Sequence, residues 1–197
     1  MRTASLIINA FIFVATLTII VLHFRKNGAW QIGHGLKQFR YFTVLSNALC
    51  AIGALAVAIS QACGSLSHPV FVLKYIGTVS VTVTILTVFL FLGPSQGYGN
   101  VLSGDFFYMH LVGPLSAILS FCLLERRRMT LGTAMLGALP VLLYGAVYIY
   151  KVLLAPEGRH WEDHYGFNRG GLWPVAAAVM LAGTCAVCLL FWKVSQL

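Results

Sequence analysis

YFTVLSNALCAIGALAVAISQ (41–61) carries no charged residue along its length. A run of about 20 predominantly apolar residues is long enough to cross the hydrocarbon core of a bilayer. Five more such runs flank it, at about 4–23, 70–92, 107–124, 133–154 and 173–192. Lipid offers backbone N–H and C=O groups no water to bond, so spans of this kind must be helices. They take up most of the 197 residues. The expected fold is an all-α membrane protein, a single six-transmembrane-helix bundle over 1–197 with no separate soluble domain.

Composition points the same way. The chain is 59% hydrophobic and 9% charged, where soluble chains carry roughly a quarter charged residues. A formal charge of +8 would suggest nucleic acid in a soluble protein. Here the basic residues flank spans, where they anchor to lipid headgroups, so the partner is the membrane and not nucleic acid. The first span begins like a signal peptide, behind Arg2. It runs to Leu22 and is followed by His23, Phe24, Arg25 and Lys26 with no small-residue cleavage pattern, so it is expected to stay as a helix. Both termini share a side with the dense Arg126–Arg128 cluster, which favours cytoplasmic termini, although Arg25, Lys26, Lys37, Arg40, Lys151, Arg159 and Arg169 lie opposite. Of the five cysteines, Cys185 and Cys188 form a C-x-x-C inside an apolar helix, where packing is the expected role.

Local signals refine the bundle. Small residues crowd the second span (Ala48, Ala51, Gly53, Ala54, Ala56, Ala58), which lets helices approach closely. Pro114 and Pro140 interrupt the fourth and fifth spans and predict kinks. The third loop, GPSQGYGNVLSGD (93–105), is made of turn residues and predicts a non-helical connection, with Asp105 as cap of the fourth helix. Lys74 and Glu125 fall near span ends. The fifth loop, APEGRHWEDHYGFNRGGLWP (155–174), is the longest polar stretch.

Thr43, Ser46, Asn47 and Cys50 follow i, i+3, i+4, i+7 spacing and share one helical face. Such a stripe must face other helices or a cavity. Its ordinary role is back-bonding to carbonyls and gluing helices. His110, at the start of the fourth span, is costlier in lipid and marks a functional site by default. Thr43 lies three residues past Arg40 and His110 five past Asp105, so their depths below one interface differ by about 3 Å. If these helices touch, the imidazole reaches the hydroxyl. A hydroxyl becomes a nucleophile only when a base takes its proton.

RYFTVLSN (40–47) and MHLVGPLSAILSFCLLE (109–125) together resemble the androgen-induced-gene and androgen-dependent-regulator family of intramembrane threonine hydrolases and its bacterial relatives. The resemblance implies six transmembrane helices and cleavage of fatty acid esters of hydroxy fatty acids, with Thr43 as nucleophile and His110 as base. It implies a lipid substrate drawn from the bilayer, no cofactor, and a place in a bacterial inner membrane. The fifth loop departs from the aromatic motif of those relatives, which leaves the substrate's identity open.

Residue chemistry alone gives the same scheme: His110 deprotonates Thr43, an acyl-enzyme forms, and water releases it. Ser46 or Asn47, one turn on, are candidate donors to the oxyanion. Tyr144 and Tyr148, four apart on the fifth span, are candidates for lining a substrate cavity, although packing is the commoner role. Arg159 and Arg169 are candidates to meet a lipid carboxylate. His160 and His164 are four apart, but the H-W-E-D-H order lacks the usual zinc placement, so no metal is expected. The loop itself is a candidate lid over Thr43. The other readings are a small transporter or lipid-binding protein with a polar pocket, and a metal- or haem-binding membrane protein.

Overall fold

Six helices are long and apolar enough to cross a membrane: α1 (Arg2–Leu22), α2 (Phe42–Ala62), α3 (His68–Gln96), α4 (Asp105–Leu124), α5 (Leu131–Leu154) and α6 (Trp173–Gln196). They come from a computed structural model that describes all 197 residues. The expected all-α architecture is therefore present, with one small exception. Asn27 at φ 52 and Gly28 at φ 80 turn a two-residue hairpin that pairs Arg25–Lys26 with Ala29–Trp30.

The first four helices pack tightly. Ile12 of α1, Cys50 and Ala54 of α2, Val81 of α3 and Ala117 of α4 form one buried cluster. Two glycines set the closest crossing. A Cβ on Gly77 would lie 2.7 Å from Cys50 Cα, and one on Gly53 2.9 Å from Lys74 Cα. With no hydrophobic drive between helices in lipid, this backbone approach supplies the van der Waals contact that joins α2 to α3. The same pairings make the two helices antiparallel. Near their terminal-side ends, α3 to α6 share a second core built on Phe71, Tyr75, Phe121 and Phe191.

Both expected proline distortions take definite forms. Pro114 has no N–H to bond the carbonyl four residues back, which is that of His110. The helix widens there into a π-turn over Tyr108–Val112. The Gly93–Pro94 pair follows a matching π-turn at Val88–Leu92. Before Pro140 the chain tightens instead into a 3-10 turn, Leu136–Ala138.

Two expectations are corrected. The third loop is partly helical: α3 runs on through Gly93–Gln96, and Tyr98–Val101 forms another helical turn. The π-turn at Val88–Leu92 takes up the bond that Pro94 cannot make, so the helix passes the proline without ending. Asp105 is not the cap, since Gly104 at φ 58 holds that position. The Asp105 carboxylate instead bonds His23 Nε2 at 2.7 Å, clasping the end of α1 to the start of α4. Lys74 and Glu125 do lie near helix ends, and both are buried, at 0% and 2% exposure.

Those two charges belong to one buried network. Lys74 Nζ donates to Asn9 Oδ1 at 2.7 Å. The Asn9 amide donates in turn to Glu125 Oε1, which also accepts from Ser120 at 2.6 Å and Ser5 at 3.0 Å. An amide thus bridges a buried ammonium to a buried carboxylate, tying α1, α3 and the end of α4 together.

Candidate active site

Thr43 sits in the first turn of α2 and His110 in the π-turn of α4, and the two side chains meet. Thr43 Oγ1 lies 3.2 Å from His110 Nε2. The approach of α2 to α4 depends on Gly113, where a Cβ would come within 3.1 Å of Asn47 Oδ1. Both residues are buried, Thr43 at 8% and His110 at 6% exposure.

The tautomer follows from the other ring nitrogen. His110 Nδ1 lies 2.6 Å from the Val101 carbonyl, which can only accept, so Nδ1 carries the proton. Nε2 is left as the lone-pair nitrogen facing the Thr43 hydroxyl. Phe106 stacks on the imidazole, with ring centroids 5.4 Å apart and planes 9° apart. A hydroxyl, a base and a group that orients the base are the three elements nucleophilic catalysis needs. No carboxylate orients His110; a main-chain carbonyl of the third loop does so. Phe106, one turn before His110, was legible as its helical neighbour. Val101 gave no signal, because a main-chain acceptor is not a residue-type property.

Ser46 and Asn47 share the face of Thr43 as their spacing predicts, but their hydrogen atoms have other partners. Asn47 Nδ2 donates to the carbonyls of Thr43 at 2.8 Å and Met109 at 3.0 Å. Ser46 Oγ donates to the Thr43 carbonyl at 3.1 Å and pairs with Thr84 at 2.8 Å. Their geometry is that of helix glue, fixing the first turn of α2 against α3 and α4.

Beside Thr43 opens a largely apolar cavity of about 390 Å³. Tyr144 and Tyr148 form part of its wall, stacked with centroids 5.8 Å apart, so they pack and line at once. It runs between α5 and α6, where Gly145, Ala176 and Ala177 leave room. Leu142, Trp173 and Leu181 on this wall are 46%, 38% and 42% exposed, and the hollow is open rather than enclosed. The hollow therefore reaches the lipid-facing side of the bundle.

The fifth loop covers the headgroup end through Tyr165, Phe167 and Asn168. Asp163 organises it, accepting from Tyr148 Oη at 2.7 Å and from the Phe167 and Asn168 amides at 3.0 and 2.8 Å. The Phe42 amide, one of those a helix start leaves unpaired, donates to Tyr165 Oη at 2.9 Å. Tyr165 went unnoticed in the sequence because its partner Phe42 lies on a distant span, and Asp163 because an acid in a polar loop carries no mark of the amides and hydroxyl it gathers. Arg159 and Arg169 are exposed and do not line the cavity. His160 is exposed too, while His164 lies against Tyr41 with ring centroids 4.7 Å apart. The segment is not helical, so the two histidines do not share a face.

Burial lowers the pKa of His164, with Arg40 adding to the effect and Glu162 and Asp163 opposing it. A group depressed in the docked state favours docking above its free value and loses that contribution as pH falls through the docked value. Acidification below about 6.5 should therefore loosen this loop. Hydrogen exchange of residues 160–168 measured across that range checks the sign; unchanged protection at acidic pH would contradict it.

No protein-family model matches the chain, and neither a curated protein nor a solved structure matches it. What stands is a multi-span helical membrane protein with polar side chains buried among its helices.

Proposed function

We propose that the protein is an intramembrane hydrolase of fatty acyl esters, with Thr43 as nucleophile and His110 as general base. One observation carries the reading: the hydroxyl that bonds His110 belongs to a residue lining the apolar, lipid-facing cavity. The stretches around both residues are also those that resemble the intramembrane threonine hydrolases. In this reading the termini face the cytoplasm of a bacterial inner membrane.

The Thr43 proton passes to His110 Nε2 as Oγ1 adds to the ester carbonyl. The tetrahedral adduct collapses, and the departing alkoxide takes the proton back from Nε2–H. Water then gives a proton to Nε2 and its oxygen to the acyl-threonine, releasing the fatty acid and restoring the Thr43 hydroxyl. The Val101 carbonyl steadies the imidazolium formed in each half.

A phosphonate probe directed at hydroxyl nucleophiles tests the class. Labelling is expected at Thr43 and is lost in His110→Ala; a label on another residue would redirect the assignment. The cavity has its own test. A Cβ at Gly145 meets nothing within 4 Å and the residue lines the cavity, so Gly145→Phe is expected to fill the hollow. Its kcat/KM for a long-chain ester should fall by about 10²-fold, while a small phosphonate still labels Thr43. Equal loss with both reagents would show a damaged site rather than a filled one.

The buried Lys74–Asn9–Glu125 network favours a second reading, a small transporter or lipid-binding protein, because ionisable groups inside a bundle often mark a transport path. Absent labelling, with lipid binding retained, would select it.

A further inference from the structure

Attack by Thr43 creates a negative oxygen inside an apolar cavity, and Ser46 and Asn47 have no hydrogen free for it. Building on the hydrolase reading, we propose that the Tyr165 hydroxyl is the donor that stabilises this oxyanion. Tyr165 and Thr43 line the same cavity. The Phe42 amide donates to the Tyr165 oxygen at 2.9 Å. The first turn of α2 thereby fixes the hydroxyl beside the nucleophile, on the oxygen's lone pairs. Its own hydrogen goes to no carbonyl or carboxylate, and the side-chain oxygen it faces is that of Tyr144.

Every other hydroxyl on the wall, apart from Thr43, has its hydrogen taken. Tyr144 donates to the Arg40 carbonyl at 2.7 Å and Tyr148 to Asp163 at 2.7 Å. Thr84 pairs with Ser46 and faces the Ser80 carbonyl, and Thr87 donates to the Val83 carbonyl. Asn168 also lines the cavity, but no hydrogen bond holds its side-chain amide, whereas effective oxyanion donors are fixed in advance. Tyr165 is fixed. Its amide bonds Tyr148 Oη at 3.3 Å, and its ring stacks on Phe167 at 5.3 Å. Burial pushes its pKa up, against the pull of Tyr144 and the Phe42 amide, so the hydrogen stays on the oxygen at neutral pH.

The test compares Tyr165→Phe and Asn168→Leu with wild type as full-length protein in detergent. It reads hydrolysis of a p-nitrophenyl acyl ester, labelling of Thr43 by a fluorophosphonate, and affinities for a fatty acid and for a trifluoromethyl ketone, whose hydrate mimics the oxyanion. Tyr165→Phe is expected to lower kcat and the labelling rate by about 10²- to 10³-fold and to lose ketone affinity in parallel. KM and fatty-acid affinity should hold. Wild-type rates in Tyr165→Phe, a loss confined to KM, or a comparable kcat loss in Asn168→Leu would overturn the assignment. Loss of fatty-acid binding as well would overturn it in favour of a structural role. No labelling of wild type would overturn the hydrolase reading itself, whereas labelled wild type with an unimpaired Tyr165→Phe removes only the tyrosine.

Discussion

Thr43→Ala is expected to reduce ester turnover by about 10⁴- to 10⁶-fold, and His110→Ala by a similar factor. Groups that act as one unit are not additive, so the double variant should be no worse than the poorer single. The fold should survive in each. Thr43 contributes one side-chain hydrogen bond to the packing, and the first turn of α2 stays fixed by Asn47 and Ser46 bonding the Thr43 carbonyl, which alanine keeps. Thr43→Ser preserves the hydroxyl and should keep measurable activity. Steady-state hydrolysis in detergent, with thermal melts alongside, separates these cases. Turnover that persists in Thr43→Ala would end the hydrolase reading, and a double variant far below either single would deny that the two residues act together.

Lys74→Met is expected to cost about 3–5 kcal/mol of stability, and Glu125→Gln a comparable amount. Each leaves the opposite charge buried without compensation, at 0% or 2% exposure. Replacing both should hurt less than the two single effects added, since no lone charge then remains inside the bundle. Thermal unfolding in detergent, followed by size exclusion, measures the cycle. Single variants that melt with the wild type would mean that the network contributes little. Thr43 should still take the phosphonate in any variant that folds, because the network lies far from the dyad. Ser46 pairs with Thr84, whereas Gly53 meets Lys74. Those ten residues of α3 amount to about 15 Å along the helix.

The bundle was legible because uncharged runs of membrane length have one stable backbone solution, and the six observed helices match the expected spans to within a few residues. The matched depth of Thr43 and His110 was legible too, since it follows from counting along each span, whereas the contact of α2 with α4 was not. Neither were side-chain hydrogen-bond choices. Spacing puts Asn47 beside Thr43 but cannot say that its amide bonds two carbonyls. Lys74 and Glu125 fall near span ends as their positions say, but their burial beneath the crossing of α2 over α3 and on the Asn9 bridge left no sign in the sequence. Tyr165 sits in a loop of mixed polar composition, and its partner amide is 123 positions away. Contacts of that range are fixed by tertiary structure and leave no local pattern.

The bond from His110 to the Val101 carbonyl has an evolutionary corollary. A carboxylate that aims a histidine can vanish in one codon change, but a peptide oxygen is present whatever residue stands at 101. Drift there alters the packing of a loop and leaves the imidazole's protonation pattern in place. The imidazole is held by the route the chain takes, so losing its alignment requires an insertion, a deletion or a rerouted turn.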